Sequence, residues 1–157
     1  MGGPGGRLLG LVLLAELLSG CVTGFASPAL DAEAKLFQAH ADTACIYVVP
    51  SNSSASVTIL LDSRTVATLD NPTYLRLNAP PGQHVFAVTR ATLLPTFLGE
   101  TPNALMVEVE AGQCYFFRTV WRQDEQSWQT YQVYLVRVTA AEGEREINIR
   151  QLVLPRK

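Results

Sequence analysis

From Cys45 to Val138 the apolar residues recur with a period of two, and this alternation constrains the fold more than any other feature of the chain. Val57, Ile59 and Leu61 share one side of the segment Ser56–Asp62, and Leu105, Val107 and Val109 oppose Met106, Glu108 and Glu110 in Ala104–Glu110. A period of two places alternate side chains on opposite faces of an extended strand, one dry and one wet. Similar segments, rich in β-branched and aromatic residues, occupy Cys45–Val49, Thr65–Leu69, Tyr74–Asn78, His84–Thr89, Cys114–Trp121 and Trp128–Val138. Clusters of Pro, Asn, Asp, Ser and Gly separate them, at Pro50–Ser54, Asp62–Arg64, Asp70–Pro72, Pro80–Gly82, Thr101–Asn103 and Ala111–Gln113. Short strands joined by regularly spaced turns predict a mainly β protein, an antiparallel β-sandwich.

The period changes on either side of this region. Ser27-Pro28 offers a helix cap followed by proline at the first helical position, and Leu30, Ala34, Phe37 and Ala41 then fall on one helical face. A short N-terminal helix is therefore expected from Pro28 to about His40, its apolar stripe docked on the domain. Thr139-Ala140-Ala141-Glu142 has the form of a capping box, and Glu146 stands four residues before Arg150. A short C-terminal helix is expected near Ala140–Asn148, limited by Gly143, with an extended tail over Leu152–Leu154. The chain shows no internal repeat and no low-complexity stretch.

The first 21 residues have a different character. Arg7 precedes an apolar run from Leu8 to Leu18, and Ser19-Gly20-Cys21 follows. One cation, a short apolar run and small residues are the layout of a secretory signal peptide. At about 1.5 Å per residue the run is too short to cross a hydrocarbon core of about 30 Å, and Glu16 interrupts it. Leu18-Ser19-Gly20-Cys21 resembles the lipobox of bacterial lipoproteins. That resemblance implies cleavage before Cys21 and diacylation of its thiol, palmitate being the label that reports it. Two or more acyl chains on one residue give stable membrane anchoring where a single chain does not. Val22, where an aspartate would retain an enteric-type lipoprotein in the inner membrane, favours the outer membrane facing the periplasm. The expected organisation is a signal peptide over residues 1–20, a tether and short helix over 21–41, and a β-sandwich domain over 42–157.

Charge excludes one class of partner. Twelve Lys and Arg against fourteen Asp and Glu leave a net charge of −2. Nucleic-acid binding by counterion release needs a basic excess that this chain lacks.

Further motifs occur in order: Leu61-Asp62-Ser63-Arg64-Thr65-Val66-Ala67-Thr68-Leu69, then Tyr74, then Pro80-Pro81-Gly82-Gln83-His84, and later Gly112-Gln113-Cys114-Tyr115-Phe116. From about Ala34 to Arg118 this series resembles a bacterial lipoprotein family carrying a domain of unknown function, a small β-sandwich similar to PEGA-type surface domains. That family places glycine where Ser63 and Ala67 stand here, and ends its first strand in arginine where this chain has Val49-Pro50. Any ligand role of that arginine therefore does not carry over. The shared motifs are turn and core residues, so they imply a fold and not a reaction.

Candidate chemistry is sparse. His40 and His84 are the only histidines, and His84, after a Pro-Pro-Gly turn, suits a hydrogen bond to loop backbone. His40, Cys45, His84 and Cys114 lack the paired short spacings of a structural zinc site, and no Gly-x-Ser-x-Gly elbow or phosphate-cradling loop occurs. No metal or other cofactor is expected. With Cys21 acylated, Cys45 and Cys114 remain, as a disulfide in an oxidising compartment or as two buried thiols. Each begins a strand, so a bridge requires parallel neighbours or facing sheets. Glu108 and Glu110 read as solvated positions. Trp121 and Trp128 flank the polar loop Arg122–Ser127, a lip suited to a glycan or a peptide of an envelope protein.

The expectation is a lipid-anchored, non-catalytic binding or structural module of the bacterial cell envelope. The alternatives are an enzyme with a loop-borne site and a soluble secreted domain without lipid.

Overall fold

A computed structural model describes residues 24–53, 55–91, 102–124 and 127–156. The elements run α1 (Pro28–Ala34), β1 (Ala44–Val49), β2 (Val57–Leu61), β3 (Arg64–Leu69), β4 (Thr73–Ala79), β5 (Gly82–Arg90), β6 (Asn103–Val109), β7 (Cys114–Asp124), β8 (Ser127–Val138), α2 (Ala140–Asn148) and β9 (Gln151–Val153). The strands form two sheets, β8-β7-β1-β4-β9 and β3-β2-β5-β6, which pack face to face as the expected β-sandwich. Most pairings are antiparallel. The exceptions are β1 with β7 and β4 with β9, both parallel, so the five-stranded sheet is mixed.

The main core fills the space between the sheets. Ile46, Val48, Ile59, Leu69, Leu75, Phe86, Val88 and Phe117 are among its fully or almost fully buried members. Each large apolar side chain removed from water contributes about 1.5–3 kcal/mol. A second cluster lies on the other side of the five-stranded sheet, where Cys45, Tyr47, Tyr74 and Phe116 meet Ala34 of α1, Ile147 of α2 and Leu152 of β9. Tyr47 stacks on Phe116 with ring centroids 5.1 Å apart, and its hydroxyl donates to the Ala34 carbonyl at 2.6 Å. Tyr74, one of the motif residues, is fully buried, and its hydroxyl donates to the Asp31 carboxylate at 2.9 Å.

The local signals account for the helix ends. The Ser27 side chain caps α1 by accepting from Leu30 N–H, with Pro28 in the first turn. The helix stops at Ala34, well short of His40, because the chain turns back and Phe37 takes a φ of 53°. That reversal sends the Phe37 ring edge-on against Tyr47, 5.4 Å between centroids. In α2 the capping box forms, with Thr139 and Glu142 each bonding the other's backbone N–H. The helix has the short span expected, Ala140–Asn148, and Gly143 lies inside it. That residue lies where α2 crosses Phe116, and a Cβ there would sit 2.5 Å from the ring. The glycine is a contact requirement, not a break.

The extended tail and the stretch before α1 are both tied to the five-stranded sheet. The tail after α2 is strand β9, parallel to β4 in the register Thr73 with Gln151 and Leu75 with Val153. The stretch read as a tether is hydrogen-bonded from Gly24 onward: Leu154 N–H donates to Gly24 O and Ala26 N–H to Leu152 O, each at 3.0 Å. Phe25 forms an antiparallel bridge with Val153. Asp31 fastens the corner, accepting from Leu152 N–H at 2.9 Å and from Lys35 Nζ at 2.7 Å. Burial alone would raise the Asp31 pKa. The bonds from Lys35, Leu152 and Tyr74 outweigh it and hold the carboxyl below its ordinary value.

Candidate functional site

The parallel pairing of β1 with β7 sets Cys45 directly opposite Cys114, with Cα atoms 4.5 Å apart, and the two are joined as a disulfide. Cys45 is fully buried on the helix-covered side of the sheet. Strand starts that seem badly placed for a bridge in an antiparallel arrangement become direct neighbours once a crossover makes the strands parallel. The partner strand could not be read from the sequence. Of the four residues weighed as zinc ligands, these two cysteines are the pair the fold joins. Among the described residues no cluster of three His, Cys, Asp or Glu side chains could hold a metal ion.

His84 sits at the turn into β5 and is 8% exposed. Its Nδ1 lies 2.8 Å from Asp62 Oδ2 and its Nε2 lies 2.8 Å from the Pro80 carbonyl. Both partners are acceptors, so both ring nitrogens must carry protons for the site to be satisfied, which is the imidazolium form. The Asp62 hydrogen bond, followed by that to Pro80, raises the His84 pKa. Asp62 also accepts from Val85 N–H at 2.9 Å, and this bond, with that from His84, lowers the carboxyl's pKa. Asp62 and Ser63 take φ values of 48° and 67° at the two-residue turn between β2 and β3. Left-handed backbone at both positions is what a tight hairpin requires. The carboxylate's two bonds, together with the Asp62 N–H donating to Val85 O at 2.9 Å, hold a turn built without glycine. The expected bond from His84 to loop backbone is present, and Asp62 is the partner the sequence reading missed. The Asp–His pair resembles half of a hydrolytic triad, yet its Nε2 is committed to the Pro80 carbonyl and does not face a nucleophile.

The long β7–β8 hairpin forms one flank of the sandwich. Trp121 is partly buried against the main core, with the Arg90 guanidinium 5.3 Å from its ring centroid. Its indole Nε1 is buried without a hydrogen-bond partner among the described residues. Arg122 lies over Tyr134 at 5.5 Å and Arg137 over Tyr115 at 4.8 Å. Asn103 Nδ2 donates to Val133 O at 2.6 Å and Arg90 Nη2 to Tyr131 O at 3.4 Å, tying β8 to the four-stranded sheet. Trp128 lies in β8, but its side chain falls outside the described residues. Trp121 is thus held down by the core and by Arg90, while Tyr131, 52% exposed, is an aromatic that this flank presents to solvent among the described residues. A polar concavity of about 490 Å³ lies at the other end of the hairpin, between Glu108, Glu110, Tyr115 and Arg137.

On the opposite flank, β9 of one sheet lies beside β3 of the other. An open groove of about 450 Å³ runs between them, lined by Phe25, Thr68, Pro72, Val153 and Arg156 among others. Behind it Arg150 is buried, donating to Asn71 Oδ1 at 2.5 Å and to Asn52 Oδ1 at 3.1 Å, with Glu146 3.6 Å away. This network clamps α2 to the loops before β2 and β4.

Cys21 lies outside the described residues. Among those residues no helix is long and apolar enough to cross a membrane. Comparison with protein-family models and with curated proteins finds no match to this chain.

Proposed function

We propose that this protein is a lipoprotein of the bacterial cell envelope, anchored through acylated Cys21 and acting as a non-catalytic binding or structural module. The observation that carries this reading is the run Leu18-Ser19-Gly20-Cys21 behind the apolar stretch Leu8–Leu18. The cysteine inventory supports it. With Cys45 and Cys114 joined, the third cysteine stands alone at the head of the folded region, and a structural disulfide belongs to an oxidising compartment outside the cytoplasm. Val22 after the cysteine points to the outer membrane, facing the periplasm. The binding role is assigned to the β7–β8 flank, where Arg–aromatic pairs and exposed Tyr131 offer stacking surface to a glycan or to a peptide of an envelope protein.

Labelling with an alkynyl palmitate in a bacterial host tests the anchor. Wild-type protein is expected to take up label and to fractionate with membranes, and Cys21→Ala to do neither. Label persisting in the variant excludes anchoring at that residue.

A further inference from the structure

We infer that the β9 edge of the sandwich is a membrane-resting surface, with Phe25, Leu30 and Leu154 seated in the interfacial layer of the bilayer that holds the protein's own anchor. The inference rests on the acylation of Cys21 proposed above and adds to it an orientation of the domain.

Chain length carries the argument. Gly24 is already bonded to the domain, its carbonyl accepting from Leu154 N–H. Three residue steps separate it from Cys21, and at most about 3.6 Å per residue they span no more than about 11 Å. An acylated Cys21 therefore brings this one edge within reach of the headgroup layer, where partly inserted apolar side chains sit about 5–10 Å deep. A domain on a long tether could face any way; this one cannot.

The surface at that edge suits the position. Eight large apolar side chains are exposed among the described residues, and five of them, Phe25, Leu30, Leu36, Ile149 and Leu154, belong to α1, its flanks, the α2–β9 corner or the end of β9. Scattered singly they would need no explanation, but grouping where the chain enters the fold is a pattern. Phe25 is 64% exposed at the mouth of the groove that Arg156 also lines. Arg156, followed by Lys157, supplies positive charge suited to anionic headgroups, although Asp70 lies in the same groove. Sheet order places β6 at the far flank, beside β8, so Met106 marks the side turned away from the bilayer.

The test uses the full chain, expressed in a bacterium that processes lipoproteins, with the mass of the purified protein read first. The protein is then reconstituted in phosphatidylethanolamine–phosphatidylglycerol vesicles carrying bromine high on the acyl chains. Phe25→Trp and Met106→Trp are compared with the unsubstituted protein, both substitutions being at exposed positions that leave the core intact. The emission added by Phe25→Trp is expected to be quenched severalfold more than that added by Met106→Trp. Equal quenching, or none, in a protein whose mass shows acylation overturns the orientation and leaves the anchor standing. Elution of the detergent-solubilised protein as a dimer, with the Phe25→Trp emission unquenched in vesicles, also overturns it, because a second copy then covers the edge. A mass without acyl groups removes the anchor, and the orientation falls with it.

Discussion

The two sheets of the sandwich share one core yet live in different surroundings. The five-stranded sheet is covered on both faces, by the other sheet and by α1 with α2. In β1 the residues Ala44, Ile46 and Val48 face the main core while Cys45, Tyr47 and Val49 face the helices, and all six are buried. The four-stranded sheet keeps one face to solvent. In β5 the inward His84, Phe86 and Val88 are buried, while Val85 and its cross-strand partner Met106 are 40% and 66% exposed. The contrast explains two textures in the sequence. A strand covered on both sides reads as a continuous apolar run, and a strand covered on one side reads as alternation.

The comparison is sharpest at paired positions. Phe116→Ala, on the helix-covered face, is expected to lower stability by about 3–5 kcal/mol, whereas Met106→Ser, on the open face, should change it by about 0.5 kcal/mol or less. Urea unfolding of both variants measures the difference, and equal effects would mean that the helices do not seal the sheet. Next in size is the disulfide, which spans a sequence separation of 69 residues within the covered sheet. Replacing both cysteines, Cys45→Ala with Cys114→Ala, is expected to lower stability by about 2–4 kcal/mol, read as the shift in urea midpoint against oxidised wild type. A stability unchanged by the replacement would show that the parallel β1–β7 pair needs no crosslink.

The smallest effect belongs to the open sheet, at the Asp62–His84 clamp. Because the His84 pKa is raised on folding, its contribution is complete below about pH 6.5 and is lost as pH rises through the raised value. The lowered pKa of Asp62 works the other way: its contribution is present above the ordinary carboxylate range and is lost as pH falls through the lowered value. The clamp is therefore strongest between those limits. Unfolding compared at about pH 5.5 and about pH 8.5 should show wild type losing more stability at the higher pH than His84→Gln does. Parallel pH dependence in the two proteins would contradict the imidazolium reading.

Much of the architecture was legible in local signals. The eight strand segments from Cys45 to Val138, the Ser27 cap with Pro28, and the Thr139–Glu142 capping box all rest on interactions between near neighbours. What is not legible locally shares a cause as well. The apolar stripe predicts too long an N-terminal helix because Phe37 fits it, but Phe37 meets Tyr47 and Phe116 after the chain turns back. The contact of Gly143 is legible only in the fold, because its close approach to Phe116 involves a residue 27 positions away in sequence. The candidate sites show the same division. The backbone bond of His84 follows from the turn before it, whereas the salt bridge to Asp62 arises only when the β2–β3 turn lies beside the start of β5.

By itself the sequence determined where the chain is extended, where it turns and where its helices begin, because these depend on side-chain periodicity and on hydrogen bonds reaching only a few residues. It also carries the Leu18–Cys21 run on which the anchor reading stands. Tertiary structure alone decided that β1 and β7 run parallel, so that Cys45 meets Cys114, and that β9 closes the sheet beside β4 with Gly24 held against it. Strand order and strand direction are set by which apolar faces exclude water together, and that is a property of the whole core that no short window of residues contains.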